Sequence, residues 1–197
     1  MSTAILGGTF DPIHLGHLLI AEQAYDKFKL DDIIFMPAGS PPHKQNVNIS
    51  AASHRMMMVK NAIADNSHFS FSDLELKNQK ASYTVDTLKH FEDQGVDEIY
   101  FIIGSDSLID LPNWKKPQYL MGHANFIVAS RPDYPIGSVL EKDFYKPYSD
   151  NIHLIDNVRI DLSATEIRYL IKNNRSIKYL VPDDVATYIA KEKLYID

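Results

Sequence analysis

The stretch Gly7-Gly8-Thr9-Phe10-Asp11-Pro12-Ile13-His14-Leu15-Gly16-His17 constrains the fold more than any other part of the chain. It follows the apolar run Ala4-Ile5-Leu6 and precedes an amphipathic pattern over 18–28. It therefore reads as the turn between a first strand and a first helix. Open α/β folds bind ligands at the carboxyl ends of their strands, where a helix start also offers N–H groups to a phosphate. Gly7 and Gly8 let the backbone approach a ligand with no Cβ in the way. Thr9 adds a hydroxyl and an N–H beside them. The spacing of His14 and His17 puts both on one helix face, where they can grip one group. Gly16 between them leaves room for something flat. The turn is neither the dinucleotide fingerprint nor the lysine-bearing phosphate loop, so histidines and a helix start must do the phosphate work.

Strand and helix patterns alternate along the rest of the chain. Residues 32–37 form a short buried-type strand stopped by Pro37. Residues 50–65 are helical, with Met56, Met57, Val59, Ala62 and Ile63 as the apolar face. Residues 69–76 alternate apolar and polar with one phase slip. Residues 83–91 form a short helix with Thr84 as N-cap. Ile99-Tyr100-Phe101-Ile102-Ile103 is the most continuous apolar run, which predicts a central strand covered on both faces. Further strands are expected at 126–129 and 152–155. Helices are expected at 163–173 and 182–193, the second opened by Pro182. This order predicts an α/β fold, a Rossmann-like, doubly wound parallel sheet with a helical C-terminal part at about 163–197. The irregular stretch 131–150 reads as a surface excursion. With 197 residues, one domain spanning 1–197 is expected, large enough to need no disulfide or metal staple.

Composition narrows the partners. There is no cysteine, which excludes a disulfide framework and a thiolate site. The net charge is −6 with no run of lysine or arginine, which argues against a broad nucleic-acid surface. No leader pattern opens the chain and no apolar run reaches membrane-spanning length. A cytoplasmic protein is expected, and a homo-oligomer is left open.

Later segments add candidate ligand groups. Pro41-Pro42-His43-Lys44 is a stiff loop whose last two residues can stand over a phosphate. Ser82-Tyr83-Thr84 opens a helix, and its N–H groups with the Thr84 hydroxyl suit a carboxylate; plain capping explains them equally. Gly104-Ser105-Asp106 ends the central strand, where Asp106 can accept from a ribose hydroxyl, cap a helix, or both. The only tryptophan, Trp114, lies in the proline-interrupted Leu111-Pro112-Asn113-Trp114-Lys115. That setting favours a partly exposed ring able to stack on a heteroaromatic ligand. Arg131 ends the next strand, either facing the same crevice or solvated. Ser163 and Glu166 form a capping box, which leaves Thr165 and Arg168 unexplained. Ser163, Thr165 and Arg168 together can hold part of a polyphosphate at that helix start.

The first motif resembles the signature Gly-Gly-x-Phe-(Asp/Asn)-Pro-x-His-x-x-His of the nucleotidyltransferase superfamily, whose histidines bind the phosphates of a nucleoside triphosphate. Pro-Pro-His-Lys, Ser-Tyr-Thr, Ile-Ile-Gly-x-Asp with Leu-Pro-x-Trp-Lys, and Ser-x-Thr-x-Ile-Arg extend the resemblance over 7–195. The whole order resembles bacterial nicotinate mononucleotide adenylyltransferase. One departure is Ala164, where the family carries a second small hydroxyl residue. The resemblance implies transfer of AMP from ATP to nicotinate mononucleotide, giving nicotinate adenine dinucleotide and pyrophosphate. It implies His14, His17, Lys44 and Arg168 at the reacting phosphates. ATP would further meet Gly7, Gly8, Thr9, Phe10, Gly16, Gly104, Asp106, Arg131, Ser163 and Thr165. Nicotinate mononucleotide would meet His43, Tyr83, Thr84, Trp114 and Lys115, its ring on Trp114 and its carboxylate at Thr84. Magnesium would arrive with ATP, with no dedicated metal cage. Other acceptors, nicotinamide mononucleotide or phosphopantetheine, and a non-catalytic nucleotide sensor are the alternatives.

Overall fold

The computed structural model describes residues 2–39, 49–77, 82–129, 136–155 and 162–196. Within them, six strands form one parallel sheet in the order β3-β2-β1-β4-β5-β6. They are β1 (Ser2–Gly8), β2 (Asp32–Pro37), β3 (Phe69–Phe71), β4 (Glu98–Gly104), β5 (Asn125–Ala129) and β6 (Ile152–Ile155). The helices are α1 (Leu15–Phe28), α2 (Ala52–Ile63), α3 (Leu74–Lys77), α4 (Thr84–Asp93), α5 (Ser105–Asp110), α6 (Pro117–His123), α7 (Ile136–Leu140), α8 (Ala164–Lys172) and α9 (Asp183–Lys191). β1 lies at the centre, with Ile5 opposite Ile34 of β2 and Phe101 of β4. The chain winds outward from β1 in both directions. The order therefore reverses between β1 and β4, and their carboxyl ends border the crevice where such sheets take ligands.

Strand alternation feeds two cores, one on each face. Ala4, Leu6, Ile33, Phe35, Tyr100 and Ile102 join one cluster with residues of α1, α2, α8 and α9. Ile5, Met36, Ile99, Phe101 and Phe126 join the other with residues of α4, α5, α6 and α7. Each of the leucine, isoleucine, phenylalanine and methionine side chains among them contributes about 1.5–3 kcal/mol when fully buried.

Four local expectations need correction. The buried face of α2 is Arg55, Met58, Val59, Ala62 and Ile63, and Met57 is 38% exposed. The helix is rotated from the expected face because an arginine occupies a core-facing position. Residues 69–76 are not one strand: β3 ends at Phe71 and α3 begins at Leu74, so the phase slip marks an element boundary. Thr84 and Pro182 are each displaced by one position, since the N-caps are Tyr83 and Pro182 itself. The stretch expected as a surface excursion is, over its described part 136–150, only partly one: most of it is exposed, but three side chains anchor it in the core. Ile136, Val139 and Tyr145 are buried, and the Tyr145 hydroxyl donates to the Leu108 carbonyl.

Candidate functional site

A cleft of about 710 Å³ opens at the carboxyl ends of β1 and β4. One end is the expected phosphate turn, where Gly7, Gly8, Thr9 and His17 line the wall. Phe10 turns the chain there with φ +49°, a left-handed backbone that costs a bulky residue roughly 1–3 kcal/mol. Its ring is buried and meets His17 edge-on at 5.0 Å. A Cβ on Gly8 would lie 3.0 Å from that ring. The Phe10 ring and the glycine are therefore one packing unit.

The two histidines share a face, as their spacing requires, but they face each other. Their rings stack at 3.7 Å; His14 is buried, and His17 lines the cleft. The His14 backbone N–H donates to His17 Nδ1 at 3.2 Å. Nδ1 is then an acceptor, which leaves the proton of the neutral ring on Nε2. Gly16 has a different use from the one expected. A Cβ there would lie 3.0 Å from His14 Nδ1, so the room it leaves is filled by His14.

The cleft continues past Gly104 and Asp106 to Tyr83, Thr84, Trp114 and Lys115. Asp106 Oδ1 folds over Gly104, where a Cβ would meet it at 2.5 Å. Trp114 is half-buried, packed on the second core with one side on the cleft. Thr84 is the first residue of α4, where helix amides lack intrahelical partners. Lys115 pairs with Asp86 at 2.9 Å and stands 4.4 Å from the Tyr83 ring centre. This exposed pair orients the lysine but adds little stability.

At the distal motif, Ser163 caps α8 by accepting from the Glu166 N–H at 3.1 Å. Arg168 donates to the Asp11 carbonyl at 2.6 Å and to Thr165 Oγ1 at 3.2 Å. The fold thus brings the Ser163–Arg168 segment against the first turn. His43, Lys44 and Arg131 lie outside the described residues. Among the described residues, no group of three or more His, Asp or Glu is placed to hold a metal ion.

Two site residues escape the sequence reading. Arg55 is 2% exposed; its Nη1 donates to the Thr9 carbonyl at 2.9 Å and the Ala38 carbonyl at 2.8 Å. Its Nε donates to the Ser50 carbonyl at 3.2 Å. Burial pulls the guanidinium below its usual pKa, opposed by Asp11. Arg55 ties the turn after β1 to the chain after β2. Glu75 lines the cleft and accepts from the Thr87 hydroxyl at 3.3 Å. Burial raises its carboxyl, while bonds from Thr87 and the Gly39 N–H lower it. Both are charged residues, for which a solvated side chain is the default expectation.

A parallel sheet with a histidine-bearing phosphate turn and a second helix start beside it defines a nucleotidyltransferase. The chain matches the cytidylyltransferase-like family over residues 5–170. It is 44% identical over 196 residues to a Clostridium acetobutylicum protein named "Probable nicotinate-nucleotide adenylyltransferase", covering 98% of each chain. It is 42% identical over 194 residues to one of the same name from Desulfitobacterium hafniense, covering 97% of this chain and 94% of the relative. A solved Plasmodium falciparum nicotinic acid mononucleotide adenylyltransferase complexed with NaAD shares the fold, with TM-score 0.78 at 21% identity over 98% of this chain and 97% of that one. The chain belongs to the nicotinate-nucleotide adenylyltransferase family.

Proposed function

We propose that this protein transfers AMP from ATP to nicotinate mononucleotide, giving nicotinate adenine dinucleotide and pyrophosphate, a step of NAD biosynthesis. The observation that carries the reading is a single cleft lined by His17 and the glycine turn at one end and by Trp114 beside the start of α4 at the other. The acceptor's phosphate oxygen attacks the α-phosphorus of ATP. The bond from that phosphorus to the bridging oxygen breaks, and pyrophosphate leaves with the electron pair. The nucleophile is already ionised at neutral pH, so no general base and no covalent intermediate are needed. Catalysis is alignment plus stabilisation of charge on the transferring and leaving phosphates.

In this reading His17 Nε2–H donates to a phosphoryl oxygen, and His14 holds the His17 ring. Lys44, Arg168, Thr165 and the Ser163 helix start hold the β- and γ-phosphates. Gly7, Gly8, Thr9 and Phe10 shape the turn that takes ATP, with Gly16 seating His14. Gly104 and Asp106 meet the ribose, and Arg131 is assigned to ATP binding. Trp114 stacks on the pyridine ring, Thr84 meets its carboxylate, and His43, Tyr83 and Lys115 complete the acceptor side. Magnesium enters as part of the MgATP substrate, held mostly by phosphate and water. One domain spanning 1–197 carries the whole site, and the protein works in the cytoplasm.

The test is pyrophosphate release from MgATP with nicotinate mononucleotide, nicotinamide mononucleotide and phosphopantetheine in parallel. Strong preference for the first is expected. Release with either other acceptor instead would keep the chemistry and overturn the pyridine site. ATP binding without release would overturn the transfer itself.

A further inference from the structure

Asp11 belongs to the first motif, yet it is 4% exposed. Its carboxylate is held from two directions. The Tyr195 hydroxyl donates to Oδ1 at 2.6 Å, and the Ser50 N–H donates to Oδ2 at 3.2 Å. The carbonyl of the same residue accepts from Arg168. Asp11 is therefore the joint between the phosphate turn, the start of the chain into α2, and the arginine of α8. Tyr195 reaches it across 184 positions of sequence. It does so from a left-handed backbone at φ +64°, an unfavourable conformation for an aromatic residue that its surroundings must hold. Its ring packs on the core beside Met58. Burial and the bond to Asp11 both raise the Tyr195 hydroxyl above its ordinary range, so it stays a donor at working pH.

Resting on the adenylyl-transfer reading, we propose that Tyr195 is a positioning residue for polyphosphate binding, acting through Asp11 on Arg168. An unrestrained Asp11 carboxylate would be free to swing toward Arg168 and compete with phosphate for the guanidinium. The hydroxyl of Tyr195 prevents this by engaging one carboxylate oxygen, while the Ser50 amide engages the other. The backbone at Asp11 then keeps its carbonyl on Arg168 and sets the direction of that side chain. Tyr195 touches no substrate in this scheme.

The experiment is Tyr195→Phe, which keeps the ring and removes the donor. Melting temperature, steady-state pyrophosphate release, and binding of a non-hydrolysable ATP analogue and of nicotinate mononucleotide are measured on the intact chain. Binding of the mononucleotide is followed by Trp114 fluorescence. At a temperature where the variant is fully folded, kcat should fall about tenfold and analogue affinity about fivefold, with affinity for the mononucleotide within twofold of wild type. Asp11→Asn supplies the second variant. If the effect runs through Asp11, the double variant is no worse than the poorer single variant. Unchanged kcat and analogue affinity, or equal weakening of both ligands, would overturn the proposal. So would additive losses in the double variant, or a Phe variant whose activity loss merely follows its unfolded fraction. A wild-type protein that releases no pyrophosphate would instead overturn the adenylyl-transfer reading.

Discussion

Replacing Arg55 by leucine isolates what a buried guanidinium does for this site. Leucine occupies part of the same volume and donates nothing. The carbonyls of Thr9 and Ala38 lose bonds of 2.9 and 2.8 Å, and the longer bond to Ser50 goes too. An acceptor left without a donor costs about 1–3 kcal/mol when fully buried. Thr9 and Ala38 are partly buried on the cleft wall, so two bonds set an upper range of about 2–6 kcal/mol that water entering the cleft reduces. The opposing term is relief from burying a cation, whose desolvation already lowers the Arg55 pKa. Removing a buried charge together with its need for partners recovers part of the loss. The net expectation lies in the lower half of the range, about 2–4 kcal/mol. For a chain of this size each kcal/mol moves the melting midpoint by about 2–4 °C, so the midpoint should fall by about 4–16 °C. Differential scanning calorimetry measures it directly, with Arg55→Lys as the comparison that retains a charge and three donors. A fall of less than about 2 °C in the leucine variant would refute the reasoning, because the carbonyls would then have found water or moved at little cost.

Other perturbations probe the chemistry and its setting. His17→Ala should lower kcat about 10²–10³-fold, the scale of losing one preorganised donor; near-normal turnover in a steady-state assay would end its assignment. Trp114→Ala should raise KM for nicotinate mononucleotide roughly tenfold, from a stacking contribution of about 1–3 kcal/mol, and leave KM for ATP within about twofold. Equal changes in both constants would make Trp114 a packing residue. Burial pushes the hydroxyls of Tyr100 and Tyr145 up to about 12 from 10.0. A group with a raised folded pKa gives stability that is complete below the unfolded value and lost as pH rises through the folded one. Stability should therefore decline between pH 10 and 12, with Tyr100 and Tyr145 among the tyrosines that ionise late in an absorbance titration and Tyr195 later still. Simultaneous ionisation of all tyrosines near pH 10 while the protein stays folded would contradict that burial.

What the chain reveals before folding is what depends on near neighbours. The glycine–histidine turn, the continuous apolar run of β4 and the Ser163 cap are read within one turn or one strand. Each is found where local pattern places it. The misjudged features depend on distant groups. Arg55 counts as polar in any helical wheel, and only the carbonyls of Thr9 and Ala38 explain why it points inward. Tyr195 has no signal of its own, because its partner Asp11 lies 184 positions away in the chain. Gly16 could be read as space but not as space for His14, since ring stacking is settled by rotamers and not by spacing. The anchors Ile136, Val139 and Tyr145 carry no readable signal because they are spread over short turns too brief to show a period.

The position of β1 has a consequence for how the protein is made. It is synthesised before the other five strands of this sheet, yet it stands at the centre of the finished sheet. Thr3, Ala4, Ile5 and Leu6 gain partners on one side when β2 follows, but on the other side they wait for Ile99, Tyr100, Phe101 and Ile102 of β4. Until β4 emerges, the strand bearing the phosphate turn is an open edge, the kind of surface that pairs with other chains. Slow passage of the ribosome between β2 and β4 would lengthen that exposure. The interval just before the catalytic cleft gains its second wall is when this chain is most open to aggregation.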